Sequence, residues 1–173
     1  CSIMLVASMN PCPCGYFNHP EKECVCAPGV FQKYLSKISG PLLDRIDIHI
    51  EVTPVNFDEL NSTNTKPEEK SEFIRERVIK TRDIQNKRFK DLPIYSNAQM
   101  ESNLIRKYCQ IDHAGTLLLK NAMTKLNLSA RAYDRILKVS RTIADLDDSE
   151  AITIVHLAEA IHYRSLDREA WGG

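Results

Sequence analysis

Leu128-Ser129-Ala130-Arg131-Ala132-Tyr133-Asp134-Arg135-Ile136-Leu137-Lys138-Val139-Ser140-Arg141-Thr142-Ile143-Ala144-Asp145-Leu146 is the stretch on which the fold turns. Ser129 stands where a helix N-cap belongs, and Tyr133, Ile136, Leu137, Ser140, Ile143 and Ala144 recur at the spacing of one helical face. That face is expected to be buried, with Asp134, Arg135, Lys138 and Arg141 on the solvated side. Outward from it, the neighbours read as helix too. Thr153 is placed to cap a pattern carrying Val155, Leu157, Ala158 and Ile161. Asp112 is placed to cap one carrying Leu118, Leu119, Ala122 and Leu126, and Asn97 one that runs to about Cys109. Residues 68–90 contain neither Gly nor Pro and are highly charged, and Leu92-Pro93 ends that helix.

The N-terminal third has a different texture. Ile3 to Ala7 is a short apolar run, and Ile46 to Val52 alternates strictly, so both predict short strands. The alternation sets Ile46, Ile48, Ile50 and Val52 on one face and Asp47, His49 and Glu51 on the other. Between them lie a Pro/Cys/Gly-rich loop, residues 10–29, and a short helix from about Val30 to Ile38 that Ser39-Gly40-Pro41 ends. Pro54, Pro67 and the polar run from Asn61 to Thr65 mark a boundary. The expected fold class is mostly α with a small α/β remnant of two short strands. The parts are 1–56, a linker at 57–67, and a helical domain at 68–173 with a basic helix (68–90) and a bundle (97–165).

Lys and Arg number 23 and Asp and Glu 23 in 173 residues, so any nucleic-acid reading must rest on local charge. Hydrophobic residues at 43% and charged residues at 27% exclude a disordered chain. No run approaches the roughly 18–20 apolar residues of a membrane span, so no membrane partner is expected. The opening Cys1 to Met9 has no initiator Met, basic region or cleavage pattern. It reads as a strand from the middle of a longer protein, and the cytoplasm is the expected compartment.

Cys12-x-Cys14 and Cys24-x-Cys26 are separated by nine residues. Two thiol pairs flanking a short loop are how a chain gathers four sulfurs around one zinc ion. Pro11 and Pro13 stiffen the first pair, Gly15 permits the turn, and His19 is available as a substitute ligand. Zinc ribbons more often place two residues between paired thiols, so three readings stand open: structural Zn2+, four reduced thiols, or disulfides. Cys1 and Cys109 read as packing residues. From Ile74 to Lys90, the cations Arg75, Arg77, Lys80, Arg82, Lys87, Arg88 and Lys90 face only Glu76 and Asp83, a local excess of five. Ile74, Val78 and Phe89 give that helix a thin apolar stripe. Its open readings are DNA contact through Arg75, Lys80, Arg82, Lys87 and Arg88, contact with a neighbouring subunit, or plain solvation.

Four stretches in order carry a resemblance: Met9-Asn10-Pro11-Cys12-Pro13-Cys14-Gly15, Ser39 to Asp47, Leu128 to Leu146, and Tyr163-Arg164-Ser165-Leu166-Asp167-Arg168. Together they resemble the C-terminal part of the magnesium-chelatase-like AAA+ ATPases, in the ComM (YifB) branch. The resemblance implies the end of an AAA+ core followed by a helical lid. It makes Asn10 the sensor-1 asparagine, Arg45 an arginine finger acting in trans, Asp44 the acidic residue that aims it, and Arg131 the sensor-2 arginine. A guanidinium fork and a helix N-terminus both suit phosphate oxygens. Taken singly, the same residues also read as a turn residue, a surface ion pair and an exposed helix residue.

For the whole protein the resemblance further implies ATP with Mg2+, a homo-oligomeric ring, expected to be hexameric, and DNA as partner in branch migration during natural transformation. No Gly-x-x-x-x-Gly-Lys-Ser/Thr occurs here and no apolar strand ends in an acidic pair. The chain thus lacks Walker A and Walker B and is not expected to hydrolyse ATP alone. The strand before Asn10 is expected to show an exposed edge, lacking the phosphate-loop strand beside it. Two competing readings are a chelatase-type motor that remodels a protein partner for metal insertion, and a non-catalytic zinc and helix binding module.

Overall fold

The computed structural model describes residues 3–17, 19–52 and 69–164, and the regular structure in them is helical. The helices are α1 (Pro28–Leu35), α2 (Gly40–Leu43), α3 (Ser71–Arg88), α4 (Ser102–Tyr108), α5 (His113–Lys125), α6 (Ala130–Leu146) and α7 (Ile154–His162). A 3-10 turn at Asn97–Gln99 precedes α4. The expected linker at 57–67 and the stretch 165–173 lie outside the described residues, as does Cys1.

Local chemistry sets the helix ends. Pro28 and Pro41 open α1 and α2, where their missing N–H costs nothing. Asp112 caps α5 by accepting from the Gly115 N–H at 2.7 Å. A side chain at Gly115 would put its Cβ 3.1 Å from Asp112 Oδ1 and 3.3 Å from Ile111 Cβ, so the cap needs glycine there. Ser129 caps α6 by accepting from the Ala132 N–H at 3.3 Å. At α7 the Thr153 N–H donates to His156 Nδ1 at 3.1 Å, which leaves the proton on Nε2, 3.2 Å from Asp147 Oδ2.

Both long bundle helices end in the same way. Asn127 (φ 46°) and Asp148 (φ 56°) turn left-handed, and the next N–H groups reach back to Met123 O at 3.0 Å and Ala144 O at 2.8 Å. These are Schellman closures with polar residues where glycine is commonest.

α6 is the hub. It packs on α7, on α3, on α4 and on the 3-10 turn, while α5 packs on α7. Ile136, Leu137 and Ala144 of α6 meet Leu157 and Ala160 of α7, Leu119 of α5, Ile105 of α4, and Phe89 and Met100. Cys109 belongs to this core, as expected of a packing residue, and burial pushes its thiol up to about 11. Three expected core positions face out: Tyr133, Val155 and Ala158. His156 takes the buried place on α7 instead, because the cap turns its ring inward.

Other expectations are corrected more deeply. No strand forms among the described residues. Ile3, Leu5 and Val6 are exposed, as are Ile48, Ile50 and Val52, so the alternating face meets no sheet. A strand is defined by a pairing partner, and neither segment lies beside one. Asn97 caps nothing and is buried. Arg141, expected on the solvated face, is buried at 3% exposure.

Asn97 and Arg141 meet at Asp145, whose carboxylate is fully buried. Asp145 accepts from both terminal guanidinium nitrogens of Arg88, from Arg141 Nε at 3.1 Å and from Asn97 Nδ2 at 2.8 Å. Arg88 also donates to Asn97 Oδ1 at 2.9 Å, and the Asn97 N–H donates to Gln85 Oε1 at 3.2 Å. Arg141 further donates to the carbonyls of Ser149 and Glu150. One carboxylate therefore joins α3, the 3-10 turn, α6 and the loop after α6. Its loss would leave two guanidinium groups facing the core without a counter-charge, which costs about 3–5 kcal/mol. Asp145→Asn should lower stability by that amount in denaturant melts. Asp148→Asn, which removes an exposed partner of Lys80, should cost no more than about 1 kcal/mol.

Candidate functional site

Asn10 ends an extended, exposed segment, and a tight turn follows at once. The Gly15 N–H donates to Cys12 O at 3.0 Å, and Gly15 has φ of +82°, a conformation that suits glycine. The turn folds Cys14 back so that its Sγ is 3.3 Å from Cys12 Sγ. The returning arm of the loop brings Cys24 Sγ to 3.7 Å from Cys12 and 3.6 Å from Cys14. Cys26 completes the group, and all four sulfurs lie within 4.8 Å of one another. None of the four is in a disulfide. His19 stays out of the cluster, its Nδ1 accepting from the Glu21 N–H at 3.1 Å and its ring edge-on to Tyr16.

The knuckle rests on α1. Phe17 stacks on Phe31 with ring centroids 4.3 Å apart, and the Tyr34 hydroxyl donates to the Asn10 carbonyl at 3.1 Å. The thiols differ sharply in acidity. A backbone hydrogen bond at Tyr16 helps bring Cys14 down to about 6. Cys26 is pushed up to about 12, since a backbone hydrogen bond at Cys14 that favours its thiolate is outweighed by removal from water and by the other three thiols.

A second group of expected residues sits where residues 44–49 meet the bundle. Arg164, buried at 1% exposure, donates to the Ile46 carbonyl and has Nη2 3.9 Å from Asp44 Oδ1. The His49 N–H donates to Tyr163 O at 2.9 Å, and Arg135 on α6 pairs with Asp47. Asp44 is thus turned toward Arg164, and no hydrogen bond or ion pair joins it to Arg45 among the described residues. Arg45 is steadied by its own helical turn, donating to Pro41 O at 2.6 Å, and its side chain is exposed with no carboxylate paired to it among the described residues. Arg131 is exposed on the first turn of α6, one turn before Arg135. The structure so brings Asn10 to the knuckle, and Arg45 and Arg131 to segments joined through Asp47 and Arg135. No hydrogen bond or ion pair links Asn10 to either arginine among the described residues.

The basic helix divides. Residues 71–80 of α3 are exposed, and only its C-terminal half packs, through Thr81 and Gln85. Arg88 does not belong to a solvent-facing set, because Asp145 and Asn97 take its guanidinium. Arg77 is held by Glu69 at 2.8 and 3.2 Å, and Lys80 by Asp148 at 2.8 Å. Arg75, Arg82 and Lys87 are exposed without an ion pair among the described residues. By helical register Arg75 and Arg82 share one side and Lys80 and Lys87 another, with Glu72, Glu76 and Asp83 running between the rows.

Two anchoring positions were given no role in the sequence reading. Arg135 and Arg164 hold the segment that carries Arg45. The available signal for Arg135 was its place one turn after Arg131 on α6. Arg164 lies in one of the four stretches that carry the resemblance, but nothing local pointed to its partner, 118 positions away.

Comparison with known proteins shows the family. The family model "Magnesium chelatase, subunit ChlI C-terminal" matches residues 68–164, and "Magnesium chelatase, subunit ChlI" matches residues 1–60. Protein YifB of Escherichia coli K12 is 40% identical over 164 residues, covering 95% of this chain and 31% of the relative. Competence protein ComM of Haemophilus influenzae is 41% identical over the same coverage. YifB of Salmonella typhimurium is 39% identical, again over 95% of this chain and 31% of its own length. The chain spans about a third of the length of the curated relatives it matches, 31% in each case. No helix among the described residues is long and apolar enough to cross a membrane. With more than half its residues matched by the C-terminal family model and the rest of the pattern in order, the chain belongs to the magnesium chelatase subunit ChlI family, alongside YifB and ComM.

Proposed function

We propose that this chain is the nucleotide-sensing and ring-contacting part of an AAA+ motor, with Arg45 acting in trans on a neighbouring subunit's nucleotide. The observation that carries the reading is the state of Arg45. Its guanidinium is exposed, has no carboxylate partner among the described residues, and stands on a backbone clamped by Arg135, Tyr163 and Arg164. An un-neutralised guanidinium on a fixed support is what stabilisation of charge on a transferring phosphoryl group requires. Asn10 and Arg131 serve as sensor 1 and sensor 2. Both are exposed, and Arg131 stands where the α6 N-terminus adds a favourable dipole for an anion. ATP and Mg2+ would be bound chiefly by residues other than these, since the chain has no phosphate-cradling glycine loop. The working form is a homo-oligomeric ring, since a finger in trans has no function in a monomer.

DNA is the proposed track of the motor. Support comes from the exposed Arg75, Arg82 and Lys87 on a helix whose first half stands clear of the bundle, and from a 41% identical relative named a competence protein. The acidic row between the cations argues for contact with two separate phosphate strands or segments rather than one continuous stripe.

Arg45→Ala in the full-length protein should cut ATP turnover by roughly a thousandfold or more while leaving nucleotide binding intact. Arg45→Lys should not restore it, because a point charge lacks the donor fork. Undiminished phosphate release from Arg45→Ala would refute the finger. For the DNA reading, reversing Arg75, Arg82 and Lys87 to Glu should weaken binding and flatten the log–log salt dependence by about one unit for each phosphate no longer neutralised. Affinity and slope both unchanged, with the helical circular dichroism intact, would remove α3 from the DNA interface.

A further inference from the structure

We propose that Cys12, Cys14, Cys24 and Cys26 together bind one Zn2+ ion through four thiolates, closing the loop 10–29 into a metal knuckle seated on α1. The distances carry the argument. Four sulfurs at about 2.3 Å from a tetrahedral ion stand about 3.8 Å from one another. The sulfurs here are separated by 3.3, 3.6 and 3.7 Å where pairs are in contact, and by no more than 4.8 Å anywhere. A disulfide would draw two of them to about 2.05 Å and break the fourfold arrangement. An iron–sulfur cluster distributes its thiolates over several irons and so spreads them farther apart than one tetrahedron edge. An all-sulfur set also selects zinc over magnesium or calcium, which prefer oxygen.

Packing gives an independent reason. Of the described residues from 3 to 27, Cys12 alone is buried. A loop of this length with no apolar interior is of the kind that a metal or a disulfide staples. Apart from the Phe17–Phe31 stack and the Tyr34 hydroxyl, little else holds it. Each ligand gives up its thiol proton to solvent as the Zn–S bond forms, so acidification should release the ion. Asn10 lies two residues before the first ligand, and the knuckle therefore helps set the path of the backbone that carries its amide. That last step rests on the role proposed for Asn10; the metal site does not.

The full-length protein, purified without added metal, should contain about one zinc per chain by elemental analysis. Titration of the wild type with a mercurial should release that zinc in step with four thiols. Cobalt exchanged into the site should give the strong visible absorption of a tetrahedral thiolate complex. Cys24→Ser with Cys26→Ser should lose the metal while keeping the helical circular dichroism, and chelation should expose the chain between Gly15 and Glu23 to protease. Iron in place of zinc, disulfides among these residues, or four freely titrating thiols without metal would each overturn the site. Zinc retained in the double variant would overturn the ligand assignment. The wild-type titration decides the matter even if the double variant fails to fold, and none of these readouts depends on ATP turnover.

Discussion

The buried carboxylate of Asp145 accepts hydrogen bonds from Arg88, Arg141 and Asn97, and the arrangement of the bundle depends on it. An apolar core alone lets helices slide, because Leu, Ile and Ala pack against one another in many registers. A carboxylate with no access to water has very few acceptable geometries, since each missing partner leaves a charge or a polar group unsatisfied. Arg88 can reach Asp145 only if α3 crosses α6 at one height. Asn97 can reach it only if the 3-10 turn sits in the notch between them. The hydrophobic residues around the network, among them Phe89, Met100, Ile136 and Leu137, supply affinity between helices, whereas the network supplies alignment.

The same division of labour recurs at the edge of the bundle. Residues 44–49 bury little apolar surface, with Ile48 exposed, yet they are fixed by polar contacts to Arg135, Tyr163 and Arg164. Backbone groups take part in two of these contacts, so the path of the chain is specified and not only the side chains. Arg45 benefits without joining the clamp. Its neighbours on both sides, Asp44 and Ile46, are engaged by Arg164, and its guanidinium is left facing outward. The cysteine loop uses a third means of specification, with four sulfurs converging where no hydrophobic interior exists.

How much of this was legible in the sequence depended on how far away each residue's partners lie. The α6 face and the caps at Asp112 and Ser129 could be read because their partners are within one turn. The paired cysteines could be read because spacing along a short loop constrains where sulfurs go, although His19 turned away to a local contact. Asn97 looked like a cap because its true partner, Asp145, is 48 positions distant. Arg141 looked solvated because hydrophobic periodicity has no means of registering a buried carboxylate one turn away on the same helix. The alternation from Ile46 to Val52 specifies which side chains share a face but not whether a second strand is there to pair with. The roles proposed for Arg45, Asn10 and Arg131 rest on family resemblance, since exposed polar residues carry no packing pattern.

The clamp on residues 44–49 also bears on the order in which the chain folds. Its ties close long intervals, 88 positions between Asp47 and Arg135 and 118 between Ile46 and Arg164. Contacts inside the bundle, such as those between α6 and α7, join neighbours along the chain and close short loops. Loop-closure entropy favours the short intervals first. The helical bundle is therefore expected to assemble before residues 44–49 dock, because the surface they dock on is made by α6 and the end of α7. Arg45 gains its fixed support in that final step, so a chain whose bundle is complete can still be immature at the residue proposed to act on a neighbouring subunit.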